Sequence, residues 1–157
     1  MEISSVTGYD SFSQDLASIL RRAVDFHGHL GPFLVVGVRA GIIALRELQT
    51  GKENKSLRAV ASLVHSVPYS CILDGVQLST GCTIGNKRLR FEESPTVSIM
   101  LEDPGNGKVT VSIPSKVVDE LRRKLEKDLP TKDLERLAHE VASRAEEELF
   151  LIDRQHM

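Results

Sequence analysis

Tryptophan is absent from this chain of 157 residues, and aromatic residues make up only 4% of it. The core therefore has to be built from Val, Leu, Ile and Ala. Cysteine occurs twice, at Cys71 and Cys82. That is too few for a disulfide framework, and a chain of this length buries a core without one. Neither sign of charge dominates: 20 Lys and Arg stand against 22 Asp and Glu, for a formal charge of -2. The basic residues are mixed with acidic ones rather than clustered, which argues against nucleic acid as a partner. An apolar leader is missing, as is any uninterrupted run long enough to cross a bilayer. These absences predict one cytoplasmic domain, residues 1–157, in a reducing compartment and away from membranes.

What is present alternates helical and strand-like patterns. Ser11-Phe12-Ser13-Gln14 fits a capping box, and Phe12, Leu16, Ile19, Leu20, Ala23 and Val24 repeat at helical spacing up to the break at His27-Gly28. Pro32 suits the first turn of a second helix, where its missing N–H would have no partner anyway. From Phe33 to Leu48 that helix is apolar nearly all round, with Arg39, Arg46 and Glu47 as interruptions, so it is expected to be buried. Gly37 and Gly41 form a small-residue strip suited to close helix packing.

Leu57 to Val67 reads as a strand ending before Pro68, with His65 in phase as a satisfied core or edge histidine. Cys71 to Ser79 reads as a short helix with Gly81 near its cap. Three strands follow, around Leu89 and Phe91, Val97 to Leu101, and Val109 to Ile113, the last two joined by the Asp103-Pro104-Gly105-Asn106-Gly107 turn. Ser115 and Thr131 are placed to cap two charged, amphipathic helices. The sum is an α+β domain with a mainly antiparallel sheet and C-terminal helices.

Three segments carry the chemistry: His27-Gly28-His29-Leu30-Gly31-Pro32, Cys71-Ile72-Leu73-Asp74, and Thr80-Gly81-Cys82-Thr83-Ile84-Gly85. Imidazole and thiolate together suit zinc or another divalent transition metal, and two His with two Cys supply four ligands. Helix geometry opposes the simplest arrangement. If Cys71 to Cys82 were one straight helix, its thiols would lie about 16 Å apart, so a common site needs the chain to turn back after Gly81 or ligands from two subunits. Cys71 has the stronger independent case, because a thiol at a helix start gains thiolate character. His27 and His29 lie before Pro32, where both can ligate, or one can ligate while the other does acid/base work. Asp74 is either a helix-start carboxylate or a catalytic group that orients a ligand or moves a proton.

In this order the three segments resemble the E-subunit family of formylmethanofuran dehydrogenase, which shows a His-Gly-His-x-Cys-Pro-like segment, Cys-x-x-Asp, and Thr-Gly-Cys-Thr-x-Gly. Gln77 belongs to the same pattern. The resemblance spans about residues 10–115, leaving the helical tail at 115–157 outside it. It implies an α-β-α-β-β-β core with a mixed, mainly antiparallel sheet, a homodimer, and a metal-containing cavity lined by the His and Cys segments. It also implies association with an oxidoreductase system that places a formyl group on methanofuran, through enzyme-complex subunits or a small-molecule substrate. Two departures stand out: Gly31 occupies a position where the family commonly has Cys, and no cysteine follows Cys82 to form a C-terminal zinc module.

The leading expectation is a metal-binding protein accessory to one-carbon chemistry, with His27, His29, Cys71 and Cys82 as ligands and Asp74 as catalytic residue. Two other classes stay open at this point. One is a non-enzymatic metal-binding adaptor dimer, and the other a redox protein using Cys71 and Cys82 as a dithiol.

Overall fold

The structure, a computed structural model, describes residues 16–155. The capping box read at Ser11 to Gln14 lies outside the described residues. Helix α1 covers 16–27; its Ile19 and Ala23 pack against Leu34 and Val38. Gly28 ends it at φ 106, a left-handed conformation glycine adopts freely, and its N–H returns 2.7 Å to the Val24 carbonyl. Helix α2, Pro32–Glu47, starts on Pro32 as expected and is buried along most of its length.

The chain continues through β1 (Arg58–Leu63), α3 (Cys71–Thr80), β2 (Leu89–Glu93), β3 (Val97–Asp103) and β4 (Gly107–Ile113). From α2 onward this is the α-β-α-β-β-β order. Four further elements follow: α4 (Ser115–Leu125), α5 (Thr131–Ser143), α6 (Glu146–Leu149) and β5 (Leu151–Gln155). The sheet runs β2-β1-β3-β4-β5. Only β1 and β2 are parallel, with α3 as their crossover; the other pairs are antiparallel. The protein is thus α+β with a mixed sheet. Strands β1, β3 and β4 alternate buried and half-buried residues, as expected when helices cover one face only.

Several expectations need correction. Strand β1 stops at Leu63, and His65 lies beyond it, exposed, with its ring 4.3 Å from that of Phe91 and its N–H directed to the Glu93 carboxylate. Ser115 and Thr131 are first helical residues rather than caps; Pro114 and Pro130 hold the cap positions without a side-chain bond. The C-terminal region is not helical throughout, because β5 returns to pair with β4 from Ser112↔Leu151 to Lys108↔Gln155. Arg39, which breaks the apolar run of α2, anchors this region. Its Nη1 donates to the carbonyls of Val141 and Arg144 at 2.8 and 2.7 Å, closing the end of α5, and the guanidinium lies over the Phe150 ring.

The closest helix contact is between α2 and α3, and three glycines make it so. A Cβ at Gly37 would overlap the Ile72 carbonyl, one at Gly41 the Ser79 side chain, and one at Gly75 the backbone of Leu34 and Val38. The contacts advance along both helices together, so the two helices start at the same end of the molecule. Ala in place of Gly75 would gain about 1 kcal/mol of helix propensity, while overpacking costs about 1–3 kcal/mol. The clash should win, because the opposing atoms are backbone and cannot rotate aside. Gly75→Ala is expected to lower the melting temperature by several degrees; a rise in thermal denaturation scans, as propensity alone requires, would contradict this packing.

Candidate functional site

Because α2 and α3 begin together, the segments before them meet. His27 is the last residue of α1, and the turn at Gly28 brings the His29 ring within 4.7 Å of it, centroid to centroid, at a tilt of 44°. Asp74 stands in the first turn of α3. Its Oδ2 accepts a hydrogen bond from His27 Nδ1 at 2.6 Å. Its Oδ1 accepts one from Gln77 Nε2 at 3.3 Å. Gln77 is held in turn by the Ile84 N–H, which donates to Gln77 Oε1 at 3.0 Å.

This relay fixes the histidine tautomer. A carboxylate can only accept, so Nδ1 carries the proton. The other ring nitrogen, Nε2, is buried and has no hydrogen-bond partner. Only 12% of the His27 side chain is exposed, and an unsatisfied buried polar atom costs about 1–3 kcal/mol. An imidazole oriented through Nδ1 by a carboxylate, with its second nitrogen free, is the usual preparation of a histidine for a metal ion.

His27, His29 and Cys71 line one cavity of about 120 Å³, walled further by Pro32, Leu125 and Leu134. The two leucines come from α4 and α5, so the tail closes the cavity. In the sequence both are only apolar positions on charged helices; no local pattern says which neighbour an amphipathic face will cover. Gln77 is legible on physical grounds, since three residues after Asp74 it falls on the same helix face.

The four-ligand set counted in the sequence does not assemble. Among the described residues, no three His, Cys, Asp or Glu side chains gather closely enough to hold a metal ion. Cys82 sits past the other end of α3, fully buried in the aliphatic core, with its N–H on Thr80 Oγ1 at 3.1 Å. The ten residues of α3 rise about 15 Å between the two thiols. Neither a shared metal nor a disulfide within one chain fits that separation. The surrounding Thr-Gly-Cys-Thr segment does turn work: Gly81 is left-handed at φ 78, and Thr83 and Asn86 exchange side-chain-to-backbone bonds at 2.9 and 3.0 Å.

Cys71 faces the cavity but is not an activated thiol. Burial, and secondarily the Asp74 carboxylate, push its pKa above the ordinary thiol value. The thiolate character expected at a helix start is lost for a local reason. The N–H groups of Cys71, Ile72 and Leu73 already bond the Pro68, Tyr69 and Ser70 carbonyls at 3.1, 3.0 and 3.0 Å. Burial raises the Cys82 thiol as well.

Comparison with known proteins gives a consistent placement. The family model described as "FmdE, Molybdenum formylmethanofuran dehydrogenase operon" matches residues 26–151. That range takes in α4 to α6, so the tail placed outside the resemblance lies within the match. A crystal structure of an FmdE-like protein of tungsten formylmethanofuran dehydrogenase, from Syntrophus aciditrophicus, shares the fold. Its TM-score is 0.61 at 19% identity, covering 90% of this chain and 72% of that one. A protein of Archaeoglobus fulgidus described as "Probable S-adenosyl-L-methionine-binding protein" is 41% identical over 78 residues, which are 48% of this chain and 21% of that protein. The chain thus matches about a fifth of that relative's length.

The raised Cys71 pKa has a direct consequence. In metal-free protein at neutral pH the Cys71 thiol should react slowly with iodoacetamide, speeding up only as pH rises past the ordinary thiol range, while Cys82 stays unmodified. Asp74→Asn removes the smaller of the two causes and should accelerate Cys71 a few-fold at fixed pH. Mass-spectrometric rates showing rapid alkylation at neutral pH would contradict the electrostatics described.

Proposed function

The chain belongs to the FmdE family, and on that premise we propose that it binds a divalent transition metal at the His27 cavity and serves as an accessory to formylmethanofuran-type one-carbon chemistry. The observation that carries the proposal is the buried, unpartnered Nε2 of a histidine whose Nδ1 is held by Asp74. His27 is the anchoring ligand, and His29 and Cys71 are the other donors lining the cavity. An imidazole-and-thiol set suits zinc or a similar borderline ion. With fewer than four protein ligands gathered, positions stay open for solvent or substrate, as in catalytic rather than structural zinc sites.

Bound zinc would supply Lewis acidity and no electrons. The chain's own residues do the rest. Asp74 fixes the His27 ring and its tautomer, Gln77 fixes Asp74, and Pro32, Leu125 and Leu134 exclude bulk water from the space in front of the imidazoles. Asp74 is therefore a positioning residue that acts through His27.

Purified protein should take up cobalt or zinc, measurable by elemental analysis and by the cobalt absorption spectrum. His27→Ala should abolish uptake. Cys71→Ser and His29→Ala should each lower occupancy. Asp74→Asn, which keeps the shape but weakens the hold on His27, should reduce affinity by about 10–100-fold. Full metal content in His27→Ala, or none in the unaltered protein, would overturn the proposal.

A further inference from the structure

Five glycines are buried among the described residues: Gly31, Gly37, Gly41, Gly75 and Gly107. Four have a structural reason. Gly37, Gly41 and Gly75 sit where a Cβ would overlap a neighbouring helix, and Gly107 has φ 111. Gly31 has neither. Its φ of -136 and ψ of 164 are extended backbone that any residue adopts. A Cβ there would meet only the His29 ring, at 3.6 Å from Cδ2 and Nε2, an ordinary contact. Helix capping does not require glycine either, since Gly31 is the N-cap of α2 and Ser, Asp or Asn would serve that position better. What a side chain at Gly31 would change is the cavity, because Gly31 lines it beside His29.

We infer that the space left by Gly31 is a ligand subsite for a carbonyl or carboxylate group of about three heavy atoms, a formate or formyl unit held against His29. The choice of a one-carbon group rests on the function proposed above; the existence of the subsite rests on Gly31. Size and polarity define the occupant. A water molecule's share of liquid volume is about 30 Å³, so a cavity of about 120 Å³ takes the end of a substrate and not its body. Polar atoms face it from the two imidazoles, while Pro32, Leu125 and Leu134 offer apolar surface to a C–H group. His29 is exposed, so a longer molecule can enter end first. A methyl at position 31 would occupy roughly one water's volume, about a quarter of the cavity, directly in front of His29.

The test uses the full chain, metal-free, with isotope-labelled histidine. Sodium formate and sodium pivalate are titrated against sodium chloride at matched ionic strength, and the His29 ring resonances are followed. Formate should shift them saturably and pivalate, too bulky for the cavity, should not. Gly31→Ala and Gly31→Ser should weaken formate by about tenfold or more. The Ser variant keeps a good N-cap, so its melting temperature should not fall. The inference is overturned if either variant binds formate as the unaltered protein does, or if pivalate and formate act alike. It is equally overturned if formate leaves His29 unmoved both without metal and with one equivalent of zinc. Formate binding that depends on Gly31 in a protein that takes up no zinc would sustain the subsite and sink the metal proposal, so the two failures are distinguishable.

Discussion

The close approach of α2 to α3 is the constraint on which the site depends. Gly37, Gly41 and Gly75 remove side chains from the interface, so backbone meets backbone. Packing at that distance leaves little freedom to slide or rotate, because the small-residue strip of each helix faces the other. The two helix starts are then fixed beside one another. His27 and His29, carried in just ahead of α2, have to face Cys71 and Asp74 at the start of α3. The same end of the molecule lies beyond the C-terminal end of β1, where a parallel strand hands the chain to its crossover helix and where such folds commonly place ligands.

On this frame the polar groups are arranged unevenly. Asp74 is satisfied by His27 on one oxygen and Gln77 on the other, and Gln77 by the Ile84 N–H. His27 is satisfied on one nitrogen and left open on the other. A fully satisfied network would be a structural device, whereas one open position directed at a cavity is a binding device that an incoming group completes. The C-terminal region gives the cavity its far wall. Arg39 holds the end of α5 through two carbonyls, and Arg46 ties α2 to Glu146 through bonds of 2.7 and 2.8 Å. With α5 so placed on α2, Leu134 and, from α4, Leu125 close over the histidines.

Much of the fold was legible because its cues are local. Pro32 marks a helix start whatever surrounds it, Gly81 marks an end, and Asp103 to Gly107 specify a hairpin. Strand β5 was not legible: Leu151-Ile152-Asp153-Arg154 lacks alternation, and its conformation comes from pairing with β4 at the sheet edge. The site was legible in residue type but not in assembly. His27, His29 and Cys71 do share a cavity, but Cys82 does not join them, because Gly81 ends α3 without turning the chain back toward its start. Cys71 also shows where a local rule yields to context: the helix-start effect needs free N–H donors, and here preceding carbonyls occupy them. His65 follows the strand period in sequence, yet the strand ends before it.

The central claim is that His27 is held by Asp74 with its second nitrogen free to bind. Long-range nitrogen–proton correlation spectra of the imidazoles, recorded without metal and then with one equivalent of zinc, address it directly. The account predicts a neutral His27 protonated on Nδ1, with an unprotonated Nε2 whose resonance moves on adding zinc while the Nδ1 proton stays in place. A His27 protonated on Nε2, or an Nε2 resonance indifferent to zinc, would contradict it.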